Sequence, residues 1–217
     1  MNLEQARLNM VECQIRTWEV LDQSVLDLLL TLKREEFVPE PYRALAFADL
    51  EIPLGHDEVM LAPKIEARMV QELSLRKTDK ILEVGTGSGY VTALLAKLGG
   101  QVVSVERIAE FSHAAARRIA GHGLENVRLE IGDASEGWLA QQPYDVILLT
   151  GSVPVLPDSF KQQLAVGGRL LAVIGELPVM TARLFTRVSE RAFNSLDLFE
   201  TVIPELRNVR QPERFVF

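Results

Sequence analysis

The chain has 217 residues, 47% of them hydrophobic, and a formal net charge of −7 at pH 7. Its length suits one domain better than two, and its apolar content is sufficient for a buried core. The acidic balance, without a cluster of basic residues, argues against a nucleic-acid partner. No apolar run reaches the roughly 18 residues that a membrane span needs.

Cysteine usage and the first residues indicate the compartment. Cys13 is the single cysteine of the sequence, which excludes an internal disulfide and favours a reducing environment. Glu4 and Arg7 stand where a signal peptide would have a basic region and an apolar core. We therefore expect a soluble cytoplasmic protein. The oligomeric state is left open, and no metal site is predicted, because no His or Cys pair has metal-ligand spacing.

Three helices and a connecting layer are predicted before residue 78. Apolar residues such as Leu8 and Val11 recur with the period of a helix that is buried on one side. Asp22 is a suitable N-cap for the second helix, and Pro63 suits the first position of the third. The predicted segments are the helix 3–17, the helix from Asp22 through Leu32, the irregular stretch 42–55 and the helix 63–73.

From residue 80 onward, strand-like and helix-like segments alternate. Such alternation predicts an α/β fold with a doubly wound, mostly parallel sheet. After Gly175 the alternation stops, and two segments with a period of two predict an antiparallel hairpin at the sheet edge. The predicted strands are 80–84, 101–105, 127–131, 144–149, 168–174, 181–189 and 196–203, and the predicted helices are 88–98, 108–120 and 157–165.

Three glycines at alternate positions follow the first of these strands and precede a helix. Gly85, Gly87 and Gly89 can adopt positive φ and let a ligand approach the backbone, while the helix behind them offers free N–H groups. A dinucleotide-binding turn would have its third glycine at position 90, which is Tyr90. The turn therefore indicates a nucleotide-type ligand other than a dinucleotide.

Acidic and polar residues stand at the ends of several predicted strands. Glu83, directly before the glycines, favours a ligand with positive charge over a pyrophosphate. Glu106 ends the next strand, 21 residues past Gly85, where a carboxylate can bind both hydroxyls of a ribose. With Asp133 and Thr150, these residues predict a site for S-adenosylmethionine. The complete predicted set is Glu83, Gly85, Thr86, Gly87, Ser88, Gly89, Tyr90, Glu106, Arg107, Asp133, Ala134 and Thr150.

Seven short motifs extend the pattern over most of the chain. They are REEFVPE at 34–40, IPLG at 52–55, ARM at 67–69, LEVGTGSGY at 82–90, GD at 132–133, GW at 137–138 and GGR at 167–169. With these motifs the chain resembles the protein-L-isoaspartate O-methyltransferases, from about residue 10 to about residue 204.

The resemblance implies a Rossmann-like methyltransferase with a seven-stranded sheet, an antiparallel C-terminal hairpin and an N-terminal helical layer. It implies S-adenosylmethionine as cofactor and, as partner, a damaged protein or peptide whose isoaspartyl α-carboxyl group is methylated. It also implies that Glu83 lies near the methionine moiety, Glu106 at the ribose and Asp133 on the adenine side. We expect a single domain, with a helical layer and substrate loop at 1–78 and the cofactor-binding sheet at 79–217.

The substrate loop departs from the family pattern. The family sequence Gly-Gln-Thr-Ile-Ser, whose hydroxyls face the substrate carboxylate, corresponds here to DEVML at residues 57–61. Val59, Met60 and Leu61 therefore stand in the hydroxyl-bearing part, and the catalytic residues are left open. The stretch TVIPE at 201–205 lacks the family's arginine, and a tail follows over 205–217, which either folds over the site or contacts another subunit.

Three functions remain open after this comparison of motifs. The first is methylation of isoaspartyl residues, and the second is methylation of a less anionic acceptor, which the apolar Val59 and Leu61 favour. The third is binding of the cofactor without turnover. His56 is the histidine to consider as a base, because it lies in the substrate loop.

Overall fold

The computed structural model describes residues 2–213 and is built around a seven-stranded sheet, accompanied by a separate two-stranded hairpin. The strands are β1 (Ile52–Gly55), β2 (Glu58–Met60), β3 (Lys80–Val84), β4 (Gln101–Glu106), β5 (Val127–Ile131), β6 (Tyr144–Val153), β7 (Leu164–Glu176), β8 (Val179–Arg187) and β9 (Phe193–Thr201). The α-helices are α1 (Leu3–Met10), α2 (Gln23–Thr31), α3 (Pro63–Glu72), α4 (Tyr90–Leu98), α5 (Ala109–Gly121) and α6 (Asp158–Gln162).

The order of the strands in the main sheet is β5-β4-β3-β6-β7-β8-β9. The pairings from β5 to β7 are parallel, and those of β7 with β8 and of β8 with β9 are antiparallel. The predicted fold class is thereby confirmed. The direction of winding reverses between β3 and β6, and sheets of this kind bind ligands outside the carboxyl ends of the strands at that point.

Both faces of the parallel centre of the sheet, β3, β4 and β6, are buried, as is usual for parallel strands. Along β6, Val146 and Leu148 pack in one apolar cluster and Ile147 and Leu149 in the other, and all four are fully buried. The N-terminal helices, α4 and α5 contribute to the first cluster, while Phe160 of α6 contributes to the second. The helix predicted at 157–165 ends at Gln162, since β7 already begins at Leu164.

The N-terminal helix continues from α1 through a π-helical turn, Val11–Ile15, and a 3₁₀ turn, Arg16–Trp18. The predicted apolar stripe is corrected at Leu8, which is 41% exposed. Arg7 is buried in its place, because its guanidinium forms an ion pair with the carboxylate of Glu35 from the REEFVPE motif. The predicted cap of α2 is confirmed, because Asp22 Oδ1 accepts a hydrogen bond from Ser24 N at 2.8 Å.

The connecting stretch predicted at 42–55 is corrected by the structure, which forms part of a 3₁₀ helix and then strand β1 there. β1 pairs antiparallel with β2. The two residues between them, His56 and Asp57, have φ of 56° and 61°. Two successive positive φ values are typical of the tightest hairpin turns, in which Asn and Gly are the usual residues. Because His56 is not such a residue, the sequence gives no turn signal.

Over residues 2–213, none of the helices combines the length and the apolar character that crossing a membrane requires.

Candidate active site

A cavity of about 100 Å³ lies at the carboxyl ends of β3, β4 and β6, where the winding of the sheet reverses. Its walls are completed by the β1–β2 hairpin and by the segment that follows β9. Of the residues predicted to bind the cofactor, those lining the cavity are Gly85, Gly87, Glu106, Arg107, Asp133, Ala134 and Thr150. Of the predicted substrate loop, Val59 and Leu61 line it.

The glycine turn passes the cavity with its backbone, and Thr150 of β6 fixes it. Gly85 has a φ of 97°, and a Cβ at this position would lie 2.4 Å from Thr150 Oγ1. That hydroxyl lies 2.9 Å from the carbonyl oxygen of Val84 and 2.7 Å from that of Gly85, to which it donates. A side chain at position 85 is therefore excluded by both conformation and space.

The other predicted residues of the turn lie outside the cavity lining. Gly89 serves helix packing, since a Cβ there would lie 2.9 Å from the Cβ of Ala115 in α5. Thr86 Oγ1 lies 2.5 Å from Ser104 Oγ. Ser88 Oγ accepts from the backbone N of Tyr90, whose fully buried ring packs at the start of α4. These residues shape the turn, and the structure does not bring them to the cavity.

Glu106 places its carboxylate at the cavity wall in a fixed position. Its Oε2 accepts from Gly87 N and its Oε1 accepts from Ile108 N, both at 2.9 Å. The residue is only 6% exposed. Each carboxylate oxygen has a further lone pair, so the group can accept two hydroxyl hydrogen bonds from a ligand. This is the geometry expected of a ribose-binding acid.

Glu83 lies beneath the turn instead of beside the cavity. It is fully buried, and its Oε2 accepts hydrogen bonds from the hydroxyls of Thr92 and Ser104, both at 2.5 Å. Burial raises the pKa of Glu83 to about 8, although the two hydroxyl bonds lower it; the nearby carboxylates of Glu106 and Glu66 add to the rise. The Glu83 side chain joins β3, β4 and α4 and lies outside the cavity lining, while its position near the methionine moiety stays a prediction.

Asp133 and Ala134 form the wall beyond Glu106. Asp133 Oδ1 accepts from Ser135 N at 2.9 Å, and its Oδ2 accepts from Asn208 Nδ2 at 2.6 Å. Partial burial works to raise the pKa of Asp133, but the hydrogen bonds from Asn208 and Ser135 and the charge of Arg107 lower it by more. Asp133 is therefore a carboxylate at neutral pH.

The hairpin supplies the apolar wall. Val59 and Leu61 face the cavity, while Met60 is buried in the core beside them. Arg34, fully buried, holds this wall in place, because its Nη2 donates to the carbonyl oxygen of Leu61 at 2.6 Å and its Nε to Glu66 Oε2 at 3.0 Å. The position of Leu61 is thus set by the buried ion pair.

The last wall comes from residues 204–209, which we call the strap. It crosses the end of β6, where Ser152 N donates to the carbonyl oxygen of Pro204 at 2.8 Å and Leu206 N donates to the carbonyl oxygen of Ser152 at 2.9 Å. The Leu206 side chain closes on the backbone, since a Cβ at Gly151 would lie 2.8 Å from its Cδ2. This part of the tail folds over the site; the tail residues 214–217 lie outside the described residues.

Sequence reasoning missed several residues at the cavity, among them the lining residues Phe111 of α5 and Leu206 and Arg207 of the strap, and Asn208, which bonds to Asp133. Phe111 lies one turn into the helix that follows Glu106, so its apolar character was a usable signal. For the strap, the sequence left folding over the site as one of two alternatives and did not indicate the individual residues, because their contacts with Ser152 and Asp133 join residues more than 50 positions apart.

His56 lies outside the cavity lining. Its Nε2 is 3.1 Å from Glu110 Oε2 on the surface, and its ring packs edge-on against Phe111. The geometry therefore gives no support to a role for His56 as a base. In the described part of the chain, no group of three or more His, Cys, Asp or Glu side chains is arranged to hold a metal ion.

A sequence model of the family described as protein-L-isoaspartate(D-aspartate) O-methyltransferase (PCMT) matches residues 5–201. A protein-L-isoaspartate O-methyltransferase of Methylorubrum populi is 38% identical over 205 residues, which are 94% of this chain and 96% of that one. One of Syntrophus aciditrophicus is 40% identical over 187 residues, 86% of each chain.

Comparison with solved structures also finds a protein of this family. A protein-L-isoaspartate O-methyltransferase superimposes with a TM-score of 0.79 at 28% identity, over 92% of this chain and 65% of that one. This chain thus spans about two thirds of that protein. A Plasmodium falciparum protein in complex with S-adenosyl-L-homocysteine shares the fold, with a TM-score of 0.81 at 18% identity over 95% of this chain and 99% of that one.

Proposed function

This chain belongs to the protein-L-isoaspartate(D-aspartate) O-methyltransferase family, and from this premise we propose that it methylates the α-carboxyl group of isoaspartyl residues in damaged proteins, with S-adenosylmethionine as donor. The observation that carries the proposal is the Glu106 carboxylate, held at the cavity wall by the backbone N–H of Gly87 in the glycine turn.

The residues present fit this cofactor. Gly85 and Gly87 leave backbone exposed at the cavity, where a Cβ on Gly85 would fill the space next to Thr150. We propose that this turn holds the methionine moiety, that Glu106 binds the ribose hydroxyls and that Asp133 and Ala134 hold the adenine side. Arg107 and Thr150 complete the set that the cavity supports. For Glu83, Thr86, Ser88, Gly89 and Tyr90 we propose a supporting role.

The cofactor supplies an electrophilic methyl group when it is bound. The protein's own task is small, because a carboxyl acceptor has a pKa near 4 and is already ionised at neutral pH. No general base is needed, which agrees with the position of His56 on the surface. Val59, Leu61 and Leu206 exclude water from the cavity, and the walls restrict the orientation in which an acceptor enters.

The partner that we propose is a protein or peptide, not a nucleic acid. The carboxylates of Glu58, Glu106, Asp133 and Glu205 outnumber the guanidinium groups among the described lining residues, and the whole chain is acidic. We further propose a cytoplasmic location, which the lone cysteine supports, and one domain, which the apolar cluster shared by the N-terminal helices and the sheet supports.

The direct test is incubation of the protein with methyl-labelled S-adenosylmethionine and an isoaspartyl peptide. A base-labile methyl ester on this peptide, and none on the same peptide with ordinary aspartate, is the expected result. Calorimetry with S-adenosylhomocysteine is run in parallel. Absence of any heat with well-folded protein would refute the cofactor assignment, whereas binding without ester formation would refute the acceptor alone.

A second candidate function is methylation of a less anionic acceptor, which the apolar Val59 and Leu61 favour. In that case Leu61→Ser, which restores a family hydroxyl, should raise activity on the isoaspartyl peptide by about tenfold, the value of a hydrogen bond to a charged group. An unchanged rate in this variant would count against the second candidate. Cofactor binding without methyl transfer to any component of a cell extract would instead indicate a module without turnover.

A further inference from the structure

The strap adds a cationic side chain to the side of the cavity where the family's hydroxyls are missing. We propose that Arg207 recognises the negatively charged carboxyl group of the acceptor. This inference rests on the proposed function and deepens it. The family match ends at residue 201, so the strap lies outside the part of the chain that the family model describes.

Arg207 is anchored at the cavity, but its donors are not exhausted. Its Nε donates to Glu58 Oε1 at 2.9 Å, and its Nη2 approaches the carbonyl oxygen of His56 at 3.4 Å. Both Arg207 and Glu58 line the cavity. A guanidinium has five N–H donors in a planar fork. Within residues 2–213, neither N–H group of Nη1 has a hydrogen-bond partner, so the fork can bind an incoming carboxylate while it keeps Glu58.

The position of Arg207 distinguishes it from the other guanidinium at the cavity. Arg107 follows the ribose-side Glu106, and its charge acts on Asp133, so it lies on the proposed adenine side. Arg207 instead bonds to Glu58, the neighbour of Val59 on the hairpin. Among the described lining residues, Arg207 is therefore the cation on the hairpin side, where an acceptor would dock.

The chemistry of this position suits a carboxylate. The side chains of Val59 and Leu61 can donate no hydrogen bond, and the carboxylates of Glu58 and Glu205 repel an anion. An acceptor carboxylate that enters here needs a counter-charge, and a planar guanidinium can bind it through two parallel N–H···O bonds. Glu58 orients the guanidinium of Arg207 before the acceptor arrives. Its carboxylate also competes with the acceptor for this guanidinium.

The test compares Arg207→Gln with Glu58→Gln, using an isoaspartyl peptide. Recognition by Arg207 predicts that Arg207→Gln raises KM for the peptide roughly tenfold or more, with a small change in kcat and none in KM for S-adenosylmethionine. Glu58→Gln should lower KM for the peptide, because it removes the competing carboxylate. Arg207→Lys, which keeps the charge without the fork, should give an intermediate KM.

The opposite changes in KM that we expect for Arg207→Gln and Glu58→Gln separate recognition from a structural role. If the ion pair merely clamps the strap to the hairpin, both variants raise KM alike, and this outcome, like no change in Arg207→Gln, overturns the proposal. Arg183→Gln, which breaks a surface ion pair with Asp197 on β9, is the matched control and should leave KM as it is.

A binding measurement gives a readout without turnover. Titration of the peptide into protein saturated with S-adenosylhomocysteine should show the same loss of affinity in Arg207→Gln. A wild-type protein that fails to esterify the peptide refutes the proposed function and this inference with it. An active wild type with unaltered peptide binding in Arg207→Gln refutes the role of Arg207 alone.

Discussion

The ionisable carboxyl group of Glu83 is fully buried. The folded state raises its pKa from 4.5 to about 8, chiefly through burial, so that the folded protein binds a proton that the unfolded chain releases. The free energy of unfolding therefore falls as the pH rises from about 4.5 to about 8 and changes no further, on account of this group, above that pH.

Replacing Glu83 by Gln should remove this pH dependence while it keeps the size of the side chain and the acceptor for Thr92 and Ser104. We expect the variant to gain stability relative to wild type, by about 1 kcal/mol at pH 5 and by about 4 kcal/mol at pH 8. Urea unfolding at several pH values measures this difference. If the free energies of unfolding of the two proteins changed with pH in parallel, the prediction would be contradicted.

Gly85→Ala should weaken binding of S-adenosylhomocysteine tenfold or more, because the added Cβ lies 2.4 Å from Thr150 Oγ1 and the φ of 97° disfavours any side chain. Calorimetry measures the affinity. Gly121→Ala, at the end of α5 with no atom within 4 Å of the added Cβ, is the control and should bind as wild type does. Equal affinities in all three proteins would show that the turn does not approach the ligand.

At the residue scale, the structure brings Glu106 to the cavity, where its place at a strand end predicts it, and its binding of a ribose stays a prediction. The structure does not bring Glu83 to the cavity lining, and the sequence could not show this because β3 is apolar on both faces. Side chains alternate along a strand, so Glu83 shares the face of Ile81 beneath α4, while Val84 shares the other face and lines the cavity. Alternation alone could not tell which of these faces borders the cavity.

At the scale of elements, the buried pair of Arg34 and Glu66 holds the hairpin to α3. The Arg34 guanidinium bonds the carbonyl oxygens of Ala46 and Leu61 as well as Glu66, and none of it is exposed. Burial raises the pKa of Glu66 to about 7, although the charge of Arg34 lowers it. The pair thus sets the position of the apolar wall relative to the sheet.

Arg34→Met should lower the free energy of unfolding by about 3–5 kcal/mol, since it leaves the Glu66 carboxyl without a partner in an apolar environment. The double variant with Glu66→Gln should recover part of this loss. Guanidinium chloride unfolding of the two single variants and the double variant measures the coupling. Strictly additive losses would show that the two side chains do not act as a pair.

Regular elements were predicted well because each strand–helix unit has its own periodic pattern. The β1–β2 hairpin was missed because β2 is three residues long and its turn contains no glycine or asparagine. The π-helical turn at Val11–Ile15 was also missed, since no local residue signals it.

At the scale of the whole molecule, the strap limits the volume of the cavity. A volume of about 100 Å³ is below the roughly 300–1,000 Å³ of pockets that hold drug-sized ligands. Because the cavity is open to solvent, a ligand as large as S-adenosylmethionine extends beyond it or displaces the strap or the hairpin. The sequence left folding of the tail over the site as one of two alternatives, because the contacts that place the strap join residues far apart in the chain.

Asn208→Ala should accelerate both association and dissociation of S-adenosylhomocysteine several-fold, because it removes the 2.6 Å hydrogen bond from Asn208 to Asp133 that holds the strap down. Stopped-flow fluorescence can follow Trp138, whose ring would touch a Cβ on Gly132 at the cavity. Asn9→Ala on α1 is the control. Unaltered rates in Asn208→Ala would mean that the ligand enters by another route.

The apolar wall of Val59 and Leu61 has one more effect, on reactivity. A carboxylate beside these side chains loses part of its hydration shell, and forming the ester removes the negative charge that the lost water had stabilised. The partly dehydrated carboxylate is a stronger nucleophile, but the apolar wall binds it more weakly than hydroxyl groups would. Next to the apolar wall, the neutral ester is therefore favoured over the anionic acceptor, which helps the product to form and leaves recognition of the charge to other groups of the cavity.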